Sequence, residues 1–120
     1  LSESLQAVIS QTLCKLKDGS GRVAAMGGLR TLPDGTPEIV RIFTLPEFRG
    51  RGLGARMVNQ LVAEAESAGH AGVKLDTGVF MQSAQKIYEA AGFKRRDPYP
   101  GAEPPAFLQP FWIYMERSAA

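Results

Sequence analysis

The chain is poor in the residues that most often announce a function. It has one cysteine, Cys14, and one histidine, His70, among 120 residues. An internal disulfide is therefore excluded, and Cys14 is expected to be a small buried or half-buried side chain rather than a nucleophile. His70 stands alone between Gly69 and Ala71 and is expected to be a solvated loop residue. No His/Cys/Asp/Glu cluster has the spacing of a metal site, so no metal is expected. Charge of one sign is scarce as well. Fourteen Lys and Arg against 12 Asp and Glu leave a net charge of +2, too little to argue for nucleic acid. No run of eighteen apolar residues exists and no basic-then-apolar leader is visible, so a membrane partner is not expected. The default expectation is a reducing, cytoplasmic compartment. The chain begins with Leu1 rather than Met, so an N-terminal part is expected to have been removed or left out.

What is present is ordinary in bulk and distinctive in one stretch. Hydrophobic content of 44% and charged content of 22% suit a globular protein, and 120 residues suit one domain spanning 1–120. The distinctive stretch runs from Ile39 to Ala68. An apolar run (Ile39, Val40, Ile42, Phe43, Leu45) is halted by Pro46. Arg49, Gly50, Arg51, Gly52, Leu53 and Gly54 follow, and then a strongly periodic segment with Leu53, Met57, Val58, Leu61, Val62 and Ala65 on one face. The pattern is strand, glycine-rich turn, helix. Glycines alternating before a helix leave backbone N–H groups unobstructed, and the helix dipole favours negative charge beside them. With two arginines in the turn, it reads as an anion cradle.

Two familiar nucleotide motifs fit it poorly. A P-loop needs a lysine after its last glycine, and none follows. The dinucleotide pattern G-x-G-x-x-G/A is met by Gly50, Gly52 and Ala55, with Asp76 about twenty residues on. In that fold, however, the strand runs almost directly into the first glycine, whereas Pro46, Glu47, Phe48 and Arg49 intervene here.

The rest of the chain reads as follows. Leu5, Val8, Ile9 and Leu13 fall near helical spacing after Ser2 or Ser4, while Thr12 to Leu16 could be a short strand. Arg22 to Leu32 and Pro37 to Leu45 read as strands separated by a Pro33–Thr36 turn, an antiparallel meander feeding the cradle. Gly69 ends the first helix. Val73 to Thr77 is expected to be a strand parallel to the one before the cradle, because a helix joins them. Gln82 or Ser83 to Ala91 reads as a second helix with Ala84, Ile87, Tyr88 and Ala91 on one side. Phe93 to Arg95 starts another strand. Asp97 to Pro105 holds four of the eight prolines and reads as a surface loop. Phe107 to Arg117 reads as a last strand, Phe111, Ile113 and Met115 alternating with Trp112, Tyr114 and Glu116. The expected fold class is α/β (α+β), a mixed and mostly antiparallel central sheet flanked by helices.

Arg49-Gly50-Arg51-Gly52-Leu53-Gly54 resembles the Q/R-x-x-G-x-G/A signature with which GNAT-superfamily N-acetyltransferases hold the pyrophosphate of acetyl-coenzyme A. Thr44-Leu45-Pro46-Glu47-Phe48 resembles that family's hydrophobic-x-Pro-Glu-aromatic lead-in, and Ala84 to Phe93 is similar to its second signature, A-x-x-x-Y-E-x-x-G-F. Together the motifs cover about Ile39 to Arg95. The resemblance implies a GNAT-like fold with a reduced N-terminal part, and transfer of an acetyl group from acetyl-CoA to a primary amine of a small molecule or a lysine-like acceptor. It also implies that Arg49, Gly50, Arg51, Gly52, Leu53, Gly54 and Ala55 hold the cofactor. The strand before the cradle would part from its neighbour, so that the backbone of Ile42, Phe43 and Thr44 pairs with the pantetheine arm. An N–H near Thr44 would then steady the carbonyl oxygen. Tyr88 lies where the family places its general acid. Glu38, eleven residues before Arg49, has the offset of the catalytic glutamate in the histone-acetylating branch. Asp76 is the fallback base. Arg95 and Arg96 are candidates for contact with an acidic acceptor or the 3′-phosphate.

There are departures too. Many members carry an asparagine seven residues before the tyrosine, where this chain has Met81, so that contact would pass to Gln82 or Ser83. Only about twenty residues precede Arg22, fewer than the family's usual acceptor wall. The rival expectation is therefore a non-catalytic acyl-CoA-binding module, which would bind the cofactor but release no thiol. A homodimer through the Trp112/Tyr114 face is a further expectation.

Overall fold

A computed structural model describes residues 8–102, 104 and 106–118, with side chains described from residue 11 onward. Among these residues six strands form one sheet in the order β1-β2-β3-β4-β6-β5: β1 Val8–Lys15, β2 Val23–Thr31, β3 Pro37–Thr44, β4 Gly72–Gly78, β5 Lys94–Arg96 and β6 Trp112–Ser118. Every neighbouring pair is antiparallel except β3 and β4. That exception follows from α1, Leu53–Ser67, which carries the chain from the end of β3 back to the start of β4. A second helix, α2, spans Gln82–Ala90. The expected mixed, mostly antiparallel sheet with helices is present.

The core lies between one sheet face and the helices. Ala25, Leu29, Ile39, Val73, Leu75, Ile113 and Met115 meet Met57, Val58, Leu61, Val62 and Ala65 of α1, with Tyr88 and Phe93 closing the end. Each fully buried large apolar side chain contributes about 1.5–3 kcal/mol relative to exposure, enough to outweigh the weak propensity of a lone helix. Leu53, the first residue of the expected stripe, is only half-buried because it faces the mouth of a cleft. Cys14 is half-buried against the same core.

Three expectations change. The N-terminal helical spacing gives way to a strand from Val8, because pairing with β2 satisfies its backbone; Leu5 lies outside the described residues. The last strand starts at Trp112, since Ala106–Phe111 with Pro110 inside it forms a 3-10 turn. The Pro-rich segment is not purely a surface loop, because Tyr99 within it is buried.

β3 carries one irregularity that matters. Met26 pairs with Phe43 and Gly28 with Val40, so Gly27 alone opposes both Arg41 and Ile42. This is a bulge, and Arg41 takes a left-handed φ of 57° to make it. A Cβ on Gly27 would stand 2.6 Å from Ile42 Cδ1 and 3.0 Å from Leu61 Cδ1, so a larger residue there would push the Ile42 and α1 side chains aside. Between β3 and β4 the pairing is confined to Glu38 opposite Lys74. Beyond that rung the two strands share no further register.

Candidate active site

The glycine turn forms one wall of a cleft beyond this rung. A short 3-10 turn, Pro46–Phe48, swings the chain off β3, and Gly50 (φ 82°) and Gly52 (φ 74°) then adopt left-handed conformations. Alternating handedness turns successive N–H groups into one concavity. Gly52 caps α1 with no side-chain hydrogen bond, and no acidic residue occupies the helix's first turn. The positive end of the helix therefore stays uncompensated. Glu47, the acid nearest in sequence, is paired with Arg22 at 3.1 Å. Arg51 stacks on the Phe48 ring at 5.3 Å, and neither Arg49 nor Arg51 forms an ion pair among the described residues. A Cβ at Gly50 or Gly52 would meet nothing within 4 Å, so open space lies in front of these amides. The chemistry suits a phosphorylated ligand.

The cleft holds about 510 Å3 and is lined by Ile42, Thr44, Arg49, Gly50, Gly52, Leu53, Gly54 and Ala55 from the expected set, with Phe48 and residues of α2 opposite. Two expected residues lie off it: the Phe43 side chain is exposed on the other side of β3, and Arg51 turns onto Phe48. Ser83 lines the cleft, whereas the Met81 sulfur accepts a 3.5 Å contact from the Thr77 hydroxyl. Arg95 donates to Gln85, and Arg96 pairs with Glu116. Tyr88 is 7% exposed and packs edge-on against Phe93 at 6.2 Å. Its phenol has no hydrogen-bond partner among the described residues. Burial, then the nearby Asp76 carboxylate, pushes its pKa above 10.

On the far face of the sheet a second cavity of about 280 Å3 opens beside the same gap. Arg30, Glu38, Val40, Arg41, Asp76, Pro104 and Trp112 line it. Glu38 is 2% exposed and fully engaged: Arg30 Nε donates to Oε1 at 2.5 Å and the Tyr99 hydroxyl to Oε2 at 2.6 Å. Tyr99 reaches it from the Pro-rich segment, which Arg30 also pins by donating to the Gly101 carbonyl. The Tyr99 ring lies against Tyr114, with Arg96 and Lys74 over its faces. Burial, then the bond to Glu38, raises the Tyr99 pKa strongly, so the phenol stays a donor. Tyr99→Phe should cost about 1–3 kcal/mol by stranding a buried carboxylate oxygen. Denaturant unfolding reads this as a lower midpoint at constant m-value, and an unchanged midpoint would remove Tyr99 from the network.

Asp76 is placed differently. Its carboxylate is partly buried, and desolvation followed by repulsion from Glu38 raises its pKa. The Trp112 indole N–H is buried and short of a hydrogen bond in proper geometry, yet near enough to Asp76 to oppose that rise in part. Asp76 lies near enough to Tyr88 for its charge to add to the rise of the phenol's pKa. Phe80 packs edge-on against Trp112 at 6.2 Å and Tyr99 against Tyr114 at 5.5 Å, and Trp112 and Tyr114 are each half-buried.

Sequence reasoning did not identify Tyr99, Arg30, Arg41 or Trp112 as site residues. An aromatic set among prolines is a usable signal, since proline lowers the entropy lost in fixing the segment. Arg30 and Arg41 carry no local signal.

Residues 5–93 match the model of the acetyltransferase (GNAT) family. The chain belongs to the GNAT family. An IAA acetyltransferase of Azospirillum brasilense is 30% identical over 82% of this GNAT chain and 62% of its own length. An uncharacterised N-acetyltransferase of Schizosaccharomyces pombe is 33% identical over 62% of the chain and 48% of its own. The chain thus spans about half to three fifths of these relatives. A Bacillus subtilis acetyltransferase solved with CoA shares the fold, with a TM-score of 0.79, 16% identity, and coverage of 99% of this chain and 82% of that one.

Proposed function

We propose that this GNAT chain transfers an acetyl group from acetyl-CoA directly to a primary amine. What supports the reading most is that a single strand gap joins an uncompensated anion cradle to a desolvated carboxylate on the opposite face. The cleft fits the cofactor: open space before the Gly50 and Gly52 amides, arginines without acidic partners among the described residues, and an apolar floor of Ile42 and Ile87. Acetyl-CoA bound there supplies a thioester carbonyl to the amine, forming a C–N bond as the C–S bond breaks.

The chain's residues handle the rest. The amide groups of 50–54 hold the pyrophosphate, and an N–H near Thr44 offers a hydrogen bond where negative charge develops on oxygen. A lysine-like amine of pKa about 10.4 is protonated at pH 7, so a base must take a proton. Asp76 suits this better than Glu38, since Arg30 and Tyr99 already occupy both Glu38 oxygens. Glu38 then positions Tyr99 and, through its charge, helps to raise the basicity of Asp76. Tyr88, whose phenol has no hydrogen-bond partner among the described residues, would protonate the departing thiolate.

Calorimetry with acetyl-CoA, with NAD run alongside, tests the cradle, and thiol release over a panel of amines tests the transfer. Cofactor binding without thiol release from any amine would leave the non-catalytic module as the better reading. Tyr88→Phe should lower turnover about 10–100-fold with acetyl-CoA affinity nearly unchanged. Equal turnover would make Tyr88 a core aromatic only.

A further inference from the structure

The cavity beside Asp76 holds more charge than proton removal needs. Of its two guanidinium groups, Arg30 is committed to Glu38 and to the Gly101 carbonyl. Arg41 has no hydrogen bond or ion pair among the described residues, yet it lines the cavity. It does so for a structural reason. Successive strand residues point to opposite faces, but Val40 and Arg41 both line this cavity because the bulge re-aims the second of them. The left-handed φ of 57° that this needs is a strained conformation for a residue other than glycine. Among the described residues the cavity is thus left with the Arg41 guanidinium and the Asp76 carboxylate outside any ion pair, the buried Trp112 indole N–H lying near Asp76 without a hydrogen bond in proper geometry.

We propose that the acceptor is a small amine that also carries a carboxylate, its ammonium drawn to Asp76 and its carboxylate held by Arg41. This deepens the acetyltransferase reading and rests on it. A guanidinium grips a carboxylate through two parallel hydrogen bonds, which fixes the orientation of the molecule as well as its position. A cavity of about 280 Å3 lies at the small end of ligand sites and suits a compact molecule. A diamine would set its second ammonium against Arg41, so the same residue selects against it.

The test uses the full chain with acetyl-CoA and reads thiol release. Glycine, β-alanine and 4-aminobutyrate are compared with their amides and with 1,3-diaminopropane. At least one amino acid should exceed its amide about tenfold in kcat/KM. Arg41→Gln keeps the same left-handed backbone but lacks the charge. It should lower kcat/KM for that amino acid about 10–100-fold more than for its amide, as expected for loss of a charged hydrogen bond. Arg41→Lys should restore part of the difference. Comparing variants on one amino acid and its amide cancels the unequal basicity of the two amines. Equal use of amino acids and amides, preference for the diamine, or an unchanged ratio in Arg41→Gln would overturn the inference while leaving the acetyltransferase reading in place. Thiol release from no amine of any class would overturn both.

Discussion

Gly52→Glu should abolish measurable acetyl-CoA binding, a loss of at least about 100-fold in affinity, while the chain remains folded. The backbone argument alone predicts a modest effect. A Cβ at Gly52 meets nothing within 4 Å, and the left-handed φ of 74° costs a residue with a side chain roughly 1–2 kcal/mol. A domain with about 5–15 kcal/mol of stability survives that. The charge does the damage. Glutamate at the N-cap places a carboxylate among the N–H groups that would receive the pyrophosphate, and the helix dipole favours it there by about 0.3–1 kcal/mol. It becomes an internal competitor for the anion's seat. Gly52→Ala, with the same strain and no charge, should weaken binding without eliminating it. Gly54→Glu is a poorer probe, because its Cβ would stand 3.1 Å from Ile87 Cδ1 and disturb the packing of α1 on α2. Titration calorimetry and thermal unfolding on the same samples separate binding from folding. Wild-type affinity in a folded Gly52→Glu variant would remove the cradle from the binding site.

Asp76→Asn should lower kcat by about 100- to 10,000-fold at neutral pH, the usual contribution of a positioned base, with acetyl-CoA affinity unchanged. The pH profile gives the sharper signature. Because burial and Glu38 raise the Asp76 pKa above 3.8, the acid limb of kcat/KM should lie above the ordinary aspartate range and vanish in the variant. Stability should move the other way. A carboxyl whose folded pKa is raised contributes stability below its unfolded pKa, and that contribution is lost as pH rises through the folded value. At pH 7 the charged form is therefore a liability, and the asparagine variant should be as stable as wild type or more so. Reduced stability together with normal turnover would make Asp76 structural. The acid limb persisting in the variant would point back to Glu38.

The parts of the fold governed by local periodicity were legible in the chain. The α1 stripe from Met57 to Ala65, the glycines that end β3's excursion, and the α2 face with Ile87 and Tyr88 all follow from spacing within a few residues. What escaped depends on contacts distant in sequence. Glu38 looked like a free acid at a strand start, because Tyr99, its partner, lies 61 residues away in a segment whose prolines signal only irregular backbone. Asp76 ranks second to Glu38 as a base from the sequence, because nothing local shows that Glu38 lies close enough to raise its pKa. Arg41 sits inside an apolar run and would read as an exposed strand residue; only the opposing Gly27 shows that the register slips there. At the N-terminus, Val8 to Leu13 satisfied helical spacing as well as strand spacing, and the free edge of β2 decided between them.

The lone rung between Glu38 and Lys74 divides the sheet into two blocks, β1–β2–β3 and β4–β6–β5, each laced by its own antiparallel ladder. Mechanically, the molecule is an arch with its keystone left out. The thrust between its halves passes through α1, which packs on β2 and β3 of one block and β4 of the other. Under the proposed function, a molecule lodged in the opening would stand where a strand would have been and join masonry that the polypeptide leaves open. Substrate capture and completion of the architecture would then be a single event.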